Sequence, residues 1–453
     1  MPGRAAGGLI GPVTADQPTS DPAIGSEATH RAIEAVVRLE YPRLIAGLAR
    51  LVRDVGLAEE CAQDALVAAL EQWPRVGVPA NPGAWLMAVG RRRTVDAVRR
   101  SRRHDAKLAQ LGRERQIDGE GVECRPDELT GDRIADDLLR LIFLACHPAL
   151  TVDAQVTMTL RLLGGLTAAE IARAYLVAEP TVAQRISRAK RTLRAARVTF
   201  EAPSGDEVAG RLPAVLRVVY LIFNEGYTAT AGDEWTRPDL CYEALRLARL
   251  VQQLVPNEPE VHGLAALLEL QASRLPARVG SDGAPVLLEQ QNRARWDRLL
   301  IGRGIDALRR AEERGGAYGY YALQAAIAAC HARAAAVADT DWARIAELYG
   351  ILAELAPSPV VELNRAVAVS RSRGPRAALA ILDRLASEPA LRGNHLLPSV
   401  RGDLLERLGR RAESRAEFAR AADLARNAAE RDLLLARATG ERAVSEGTPR
   451  SDS

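Results

Sequence analysis

The sequence predicts an all-α protein. Aromatic residues make up only 4% of it, Ala, Leu, Arg and Glu dominate, and runs of Val, Ile, Thr or Tyr with strand character are few. Apolar residues recur instead at helical spacing through most of the chain. At 453 residues it holds enough material for about three domains of ~150 residues.

Residues 1–27 contain one Arg, no continuous apolar stretch and much Gly, Pro, Ser and Asp. They read as a disordered tail, with neither the charge and apolar core of a signal peptide nor the length of a membrane anchor. Residues 28–105 form a helical block. Within it Ala62, Ala65, Leu66, Ala69 and Leu70 make one apolar face, and Pro74, Gly77, Pro79, Pro82 and Gly83 break the pattern into a loop before Trp85. Gly90 is out of place, because a glycine inside a helix costs about 1 kcal/mol. Residues 106–133 lack apolar periodicity and read as a linker; a second block spans 134–200.

The net charge of +3 hides an alternation along the chain. Arg91, Arg92, Arg93, Arg99, Arg100, Arg102, Arg103 and Lys107 crowd one segment against only Asp96 and Asp105. The linker is acidic. A second basic run, Arg185, Arg188, Lys190, Arg191, Arg194 and Arg197, contains no acid at all. Such blocks mark interaction surfaces more often than fold determinants. The five cysteines are never spaced as CxxC, which argues against a disulfide scaffold or a zinc site and fits a reducing cytoplasm; no metal and no cofactor are expected.

Residues 167–194, "TAAEIARAYLVAEPTVAQRISRAKRTLR", read as two short helices joined by a tight turn. Thr167 and Glu170 form a capping box, and Pro180 sits where a first helical turn accepts it. Val182, Ile186, Ala189 and Leu193 share one face of the second helix, leaving Thr181, Gln184, Arg185 and Arg188 on the other. A recognition helix presents its N-terminal side chains to base edges in the major groove while flanking basic residues hold phosphates. Thr181, Gln184, Arg185 and Arg188 are therefore candidates for base or nearby phosphate contact, and Lys190, Arg191 and Arg194 for backbone anchoring. From this stretch alone, a helical hairpin with a solvated basic face remains the alternative.

Three segments in order carry a resemblance to the extracytoplasmic-function group of the sigma-70 family. "AEECAQDALVAALEQW" is similar to the region 2 helix that docks on the clamp of RNA polymerase, which implies polymerase contacts from Gln63, Asp64, Leu66 and Trp73. "GAWLMAVGRRRTVDAVRRSRR" resembles the segment that opens and reads the minus-ten element, which implicates Trp85, Arg91, Arg92, Arg93, Arg99 and Arg100 in promoter DNA contact. "LRLIFLACHPALTVDAQVTMTLRLLGGLTAAEIARAYLVAEPTVAQRISRAKRTLR" resembles region 4, which reads the minus-thirty-five element beside the polymerase flap. All three lie between residues 58 and 194, within the two helical blocks 28–105 and 134–200. Many relatives carry Asn where this chain has Arg92, four before Asp96, so no particular minus-ten sequence carries over. Trp85 either stacks on an unpaired base, as single-strand readers do, or anchors a core. The acidic linker either threads the RNA path of the polymerase, as family linkers do, or is a solvated, self-repelling coil.

A third region, 208–445, keeps helical periodicity nearly to its end. "LVQQLVPNEPEVHGLAALLEL" and "ILAELAPSPVVELNRAVAV" are alike, each a helix ending near one Pro and restarting after another, and Gly374 and Gly409 stand 35 residues apart, close to the ~34-residue period of tetratricopeptide helix pairs. Its stretches "RVVYLIFNEGYTAT", "LLEQQNRARWD" and "ALQAAIAACHARA" resemble the tetratricopeptide-like extension of a subgroup of these factors. The resemblance implies a regulatory or polymerase-contacting role, with an intramolecular or protein partner. Asn224, Glu225, His262, Cys330, His331 and His395 are its chemically active side chains, but no pair has ligand or triad spacing, so the expectation is not an enzyme. The rival reading is a ligand-responsive helix-turn-helix regulator that does not dock on polymerase.

Overall fold

The computed structural model describes residues 40–109, 131–175, 177–198, 200, 205–229, 235–280 and 283–440. The expected tail 1–27 and most of the acidic linker lie outside them. The described residues form eighteen α-helices and no strand, with one isolated bridge between Val279 and Pro285. The chain is all-α.

Helix α1 (40–52), α2 (Val55–Val76) and α3 (Pro82–Ala109) make the first group. Asp54 caps α2, accepting from the amides of Gly56 (2.8 Å) and Leu57 (3.1 Å). Pro74 does not end this helix. It lies in the last turn, and the chain leaves only at Gly77, where φ is +85°. Pro82 opens α3, with Asn81 accepting from the Ala84 amide (3.0 Å), so the expected loop is shorter than the prolines suggest. Gly90 has a packing reason: a Cβ there would lie 2.9 Å from Leu48 Cδ1 and 3.3 Å from Leu44 Cδ1 on α1. The glycine lets α1 and α3 touch.

The second group is α4 (Gly131–Ala145), α5 (Val152–Leu162), α6 (Ala168–Tyr175) and α7 (Glu179–Ala195). Eleven helices follow: α8 (Gly205–Tyr227), α9 (Pro238–Leu254), α10 (Pro259–Ala272), α11 (Arg298–Glu313), α12 (Tyr320–Arg333), α13 (Trp342–Leu355), α14 (Pro359–Arg373), α15 (Pro375–Leu385), α16 (Leu396–Arg407), α17 (Arg411–Leu424) and α18 (Ala428–Thr439). The two look-alike stretches fold alike. α9 and α13 end on Val255 and Ala356, whose φ,ψ values are −131°,63° and −137°,78°, and α10 and α14 restart on Pro259 and Pro359. Gly374 and Gly409 have φ of +91° and +77°. Each makes the turn of a helix pair, Gly374 as the single residue between α14 and α15 and Gly409 between α16 and α17, as stacked helical repeats require.

One apolar core runs from Tyr41 on α1 to Ala332 on α12, so the first two helix groups and the start of the extension share it. A second gathers around Leu323, Leu363 and Leu382 along α12 to α16, and a third around Phe418 on α17 and α18.

Candidate nucleic-acid and polymerase interface

The turn between α6 and α7 forms as its residues dictate. The Thr167 amide donates to Glu170 Oε2 (2.7 Å) and the Glu170 amide to Thr167 Oγ1 (3.1 Å), closing the capping box. Val182, Ile186, Ala189 and Leu193 are all buried against α5 and α6. That burial fixes which side of α7 faces out. Thr181, Gln184, Arg188 and Arg191 are exposed together there. Arg185 is half-buried and leans back on α5, with Asp153 at 3.5 Å and Thr157 Oγ1 at 3.4 Å.

Lys190 and Arg194 are engaged with α2. Lys190 Nζ lies 2.8 Å from Glu59 Oε2, and Arg194 donates through Nη2 to Asp54 Oδ2 at 2.6 Å. Glu59 also accepts from Arg161 Nε of α5 at 2.6 Å and is 3% exposed, so one buried carboxylate joins two helix groups. Burial pushes the Asp54 carboxyl up, but the Leu57 amide, the Arg194 guanidinium and the Gly56 amide together hold it below the usual carboxylate range. On the far side, Asp137 of α4 accepts from Arg50 (3.0 Å) and Arg140 (2.9 Å). Burial still leaves its carboxyl above the usual range. Sequence reading missed Glu59, although one signal was present: it stands among Val55, Ala58 and Ala62 in the apolar stripe of α2, where an unpaired carboxylate would be costly.

Gln63 and Asp64 are exposed on the outer face of α2 and Leu66 is half-buried. Val67 and Leu70, 53% and 43% exposed, extend that ridge. Leu70 therefore leaves the apolar face on which its spacing placed it; Ala58, Ala65, Ala69 and Trp73 fill the buried side. Trp73 is a correction to the expected docking set. It is 1% exposed, its ring meeting Trp85 edge-on with centroids 5.4 Å apart, and packing claims the whole side chain. Trp85 is itself half-buried, so it anchors that pair and keeps part of its ring outward. On α3, Arg92, Arg93, Asp96, Arg99 and Arg100 are exposed, whereas Arg91 is half-buried. They form a basic strip beside Trp85.

The polar residues of the extension are dispersed. Glu225 pairs with Arg237, His262 with Gln252 Nε2 (2.8 Å) and the Pro256 carbonyl (2.7 Å), and His395 with Glu430 (3.0 Å). Asn224 and His331 line one cavity. Cys61, Cys146, Cys241 and Cys330 are free thiols, and Cys124 lies outside the described residues. Among the described residues no helix is long and apolar enough to cross a membrane.

Comparison with known proteins agrees with this geometry. Residues 36–104 match sigma-70 region 2 and residues 140–193 match sigma-70 region 4. Residues 211–312 match a family of unknown function, DUF6596. The chain is 46% identical over 389 residues to the uncharacterized protein R00370 of Rhizobium meliloti (strain 1021), covering 86% of this chain and 91% of that one. It is 31% identical over 151 residues to the ECF RNA polymerase sigma factor SigK of Mycobacterium ulcerans (strain Agy99), covering 32% of this chain and 75% of that one. No solved structure gives a significant match. The sigma-70 family works by binding and is not enzymatic. With both sigma-70 regions in order, α7 open on its outer face and a helical extension following them, this chain belongs to the extracytoplasmic-function sigma factors, the DNA-binding proteins of transcription initiation.

Proposed function

We propose that this sigma factor docks on the RNA polymerase core through the outer ridge of α2 and selects promoters in the cytoplasm with two separate basic surfaces. Gln63, Asp64 and Leu66 meet the clamp, with Val67 and Leu70 adding apolar contact. The strip of Arg92, Arg93, Arg99 and Arg100, with Arg91 and Trp85 at its edge, holds the minus-ten strand through phosphate charge and stacking. α7 reads the minus-thirty-five element with Thr181, Gln184 and Arg188 near base edges and Arg185 and Arg191 serving the backbone, Lys190 being held back by Glu59, while its domain rests on the flap. The working units are residues 28–105, 134–200 and 208–445, with 1–27 and 106–133 as tail and tether, and the last unit regulates the first two.

The observation that carries this reading is the division of α7, whose apolar side is sunk into α5 and α6 while Thr181, Gln184, Arg188 and Arg191 stand open on one side. In vitro transcription with purified core polymerase and a promoter library tests it. The full chain directs initiation from a defined subset of promoters. Asp64→Lys with Leu66→Ser removes co-purification with core without unfolding the chain. A chain that binds promoter DNA but neither joins core nor initiates at any start point would be a helix-turn-helix regulator of another kind.

A further inference from the structure

Between α8, α10, α12, α13 and α14 lies a cavity of about 320 Å3, within the size range of small-molecule sites. It joins the first apolar core to the second, since Leu267 of its wall belongs to one and Leu352 to the other. Tyr220 and Phe223 of α8 and Tyr320 of α12 supply aromatic wall, and the Tyr220 hydroxyl donates to Gln324 Oε1 (3.2 Å). α8 also packs against α4 and α5, the second of which supports α7.

The polar side of this cavity is incomplete. Three arginines are buried around it, Arg274, Arg278 and Arg293, at 9%, 7% and 7% exposure. Arg278 donates to the Tyr227 carbonyl (2.8 Å) and Thr228 Oγ1 (3.0 Å). Arg293 donates to the carbonyls of His331 and Ala334 (both 2.7 Å) and to Thr340 Oγ1 (3.0 Å). Arg274 lines the cavity and differs from both in its hydrogen bonds: its Nε is buried without an acceptor as theirs are, but among the described residues its guanidinium has no carbonyl, hydroxyl or ion-pair partner at all. The rings of Trp296 and Tyr227 face its guanidinium at 5.6 and 5.9 Å, and neither supplies a negative charge. Gln271 Oε1 and His331 Nδ1 line the same space and are likewise buried without partners. Burial, with Arg274 and Arg293 adding to it, pushes the His331 ring down to about 3, so it is neutral and supplies no counter-charge. A buried cation that no carboxylate balances is costly, and an anion bound beside it removes the cost.

We propose that this cavity binds a small aromatic carboxylate, with the carboxylate on Arg274 and the ring among Tyr220, Phe223 and Tyr320. At ~30 Å3 for each water-sized group the space takes about ten non-hydrogen atoms, the size of a hydroxybenzoate. Gln271 and His331 then meet a hydroxyl on the ring.

Calorimetric titration of the full chain with benzoate, 4-hydroxybenzoate and benzamide tests the assignment without polymerase or DNA, so its outcome is separate from that of the promoter reading. Both carboxylates bind saturably at one site, and benzamide binds at least tenfold more weakly. Arg274→Gln lowers carboxylate affinity at least tenfold and leaves benzamide unchanged. Val360 lines the cavity and is 42% exposed, so Val360→Trp blocks the entrance without disturbing a core and abolishes binding of all three. Thermal melts confirm that each variant folds; if Arg274→Gln does not, the entrance variant decides. Carboxylate binding undiminished by the folded variants, equal affinity for benzamide, or no saturable binding by any probe overturns the proposal.

Discussion

Lys190 of α7 sits 2.8 Å from Glu59 of α2, and Arg161 of α5 reaches the same carboxylate at 2.6 Å. A side chain suited to a DNA phosphate is thereby held by a carboxylate of the neighbouring helix group. Glu59→Gln leaves two cations facing one neutral amide at a site 3% exposed. Breaking a buried pair from one side costs about 3–5 kcal/mol, and Lys190, which keeps some exposure, places this case near 3. Denaturant unfolding measures that loss. Fluorescence anisotropy with duplex promoter DNA measures the gain: Lys190, once free, takes a phosphate and steepens the salt dependence by about one.

Arg188 and Arg185 separate reading from holding. Arg188 is exposed and Arg185 leans on Asp153 and Thr157. Arg188→Ala costs about 1–3 kcal/mol of promoter affinity and relaxes preference at one base pair. Arg185→Ala weakens all sequences alike. Binding titrations over a set of singly substituted sites distinguish the two, and unaltered binding by both variants removes α7 from the interface.

Gly90→Ala destabilises the chain although alanine favours a helix by about 1 kcal/mol. The added methyl meets Leu48 at 2.9 Å where α1 packs on α3, Leu48 and Leu44 both being buried there, and overpacking of that kind costs about 1–3 kcal/mol. Urea unfolding curves show a lower midpoint than the parent chain. A raised midpoint would mean that α1 and α3 do not approach so closely.

His331 makes the extension sensitive to acid. Its folded value lies near 3 and its unfolded value near 6.5, so between these the unfolded chain holds the extra proton and stability falls as pH drops. The slope is about 1.4 kcal/mol per pH unit below pH 6.5. His262 and His147 are also held low by burial, and they shift stability in the same direction. Comparing unfolding at pH 7 and pH 5 in the parent chain and in His331→Gln isolates the contribution of His331, because the variant loses that part of the slope.

Much of the site was legible locally. The Thr167–Glu170 box, the burial of Val182, Ile186, Ala189 and Leu193, and the outward set of Thr181, Gln184 and Arg188 depend on residues within a few turns of one another, where helical spacing is a direct guide. Leu70 and Trp73 were read less well. Spacing put both on a side of α2, but which side finds a neighbour depends on where α1 and α3 pack.

By itself the sequence determined the helices, their caps, the two basic surfaces and the repeat turns at Gly374 and Gly409, because backbone hydrogen bonding and glycine geometry are settled within a turn or two of chain. Only the tertiary structure decided that Glu59 joins Lys190 to Arg161, that Gly90 is a contact between helices, and that Arg274 is buried without a counter-charge beside a cavity. Each of these brings together residues far apart in the chain, and their energies come from burial and from charge in a low-dielectric interior, neither of which exists until the helices have packed.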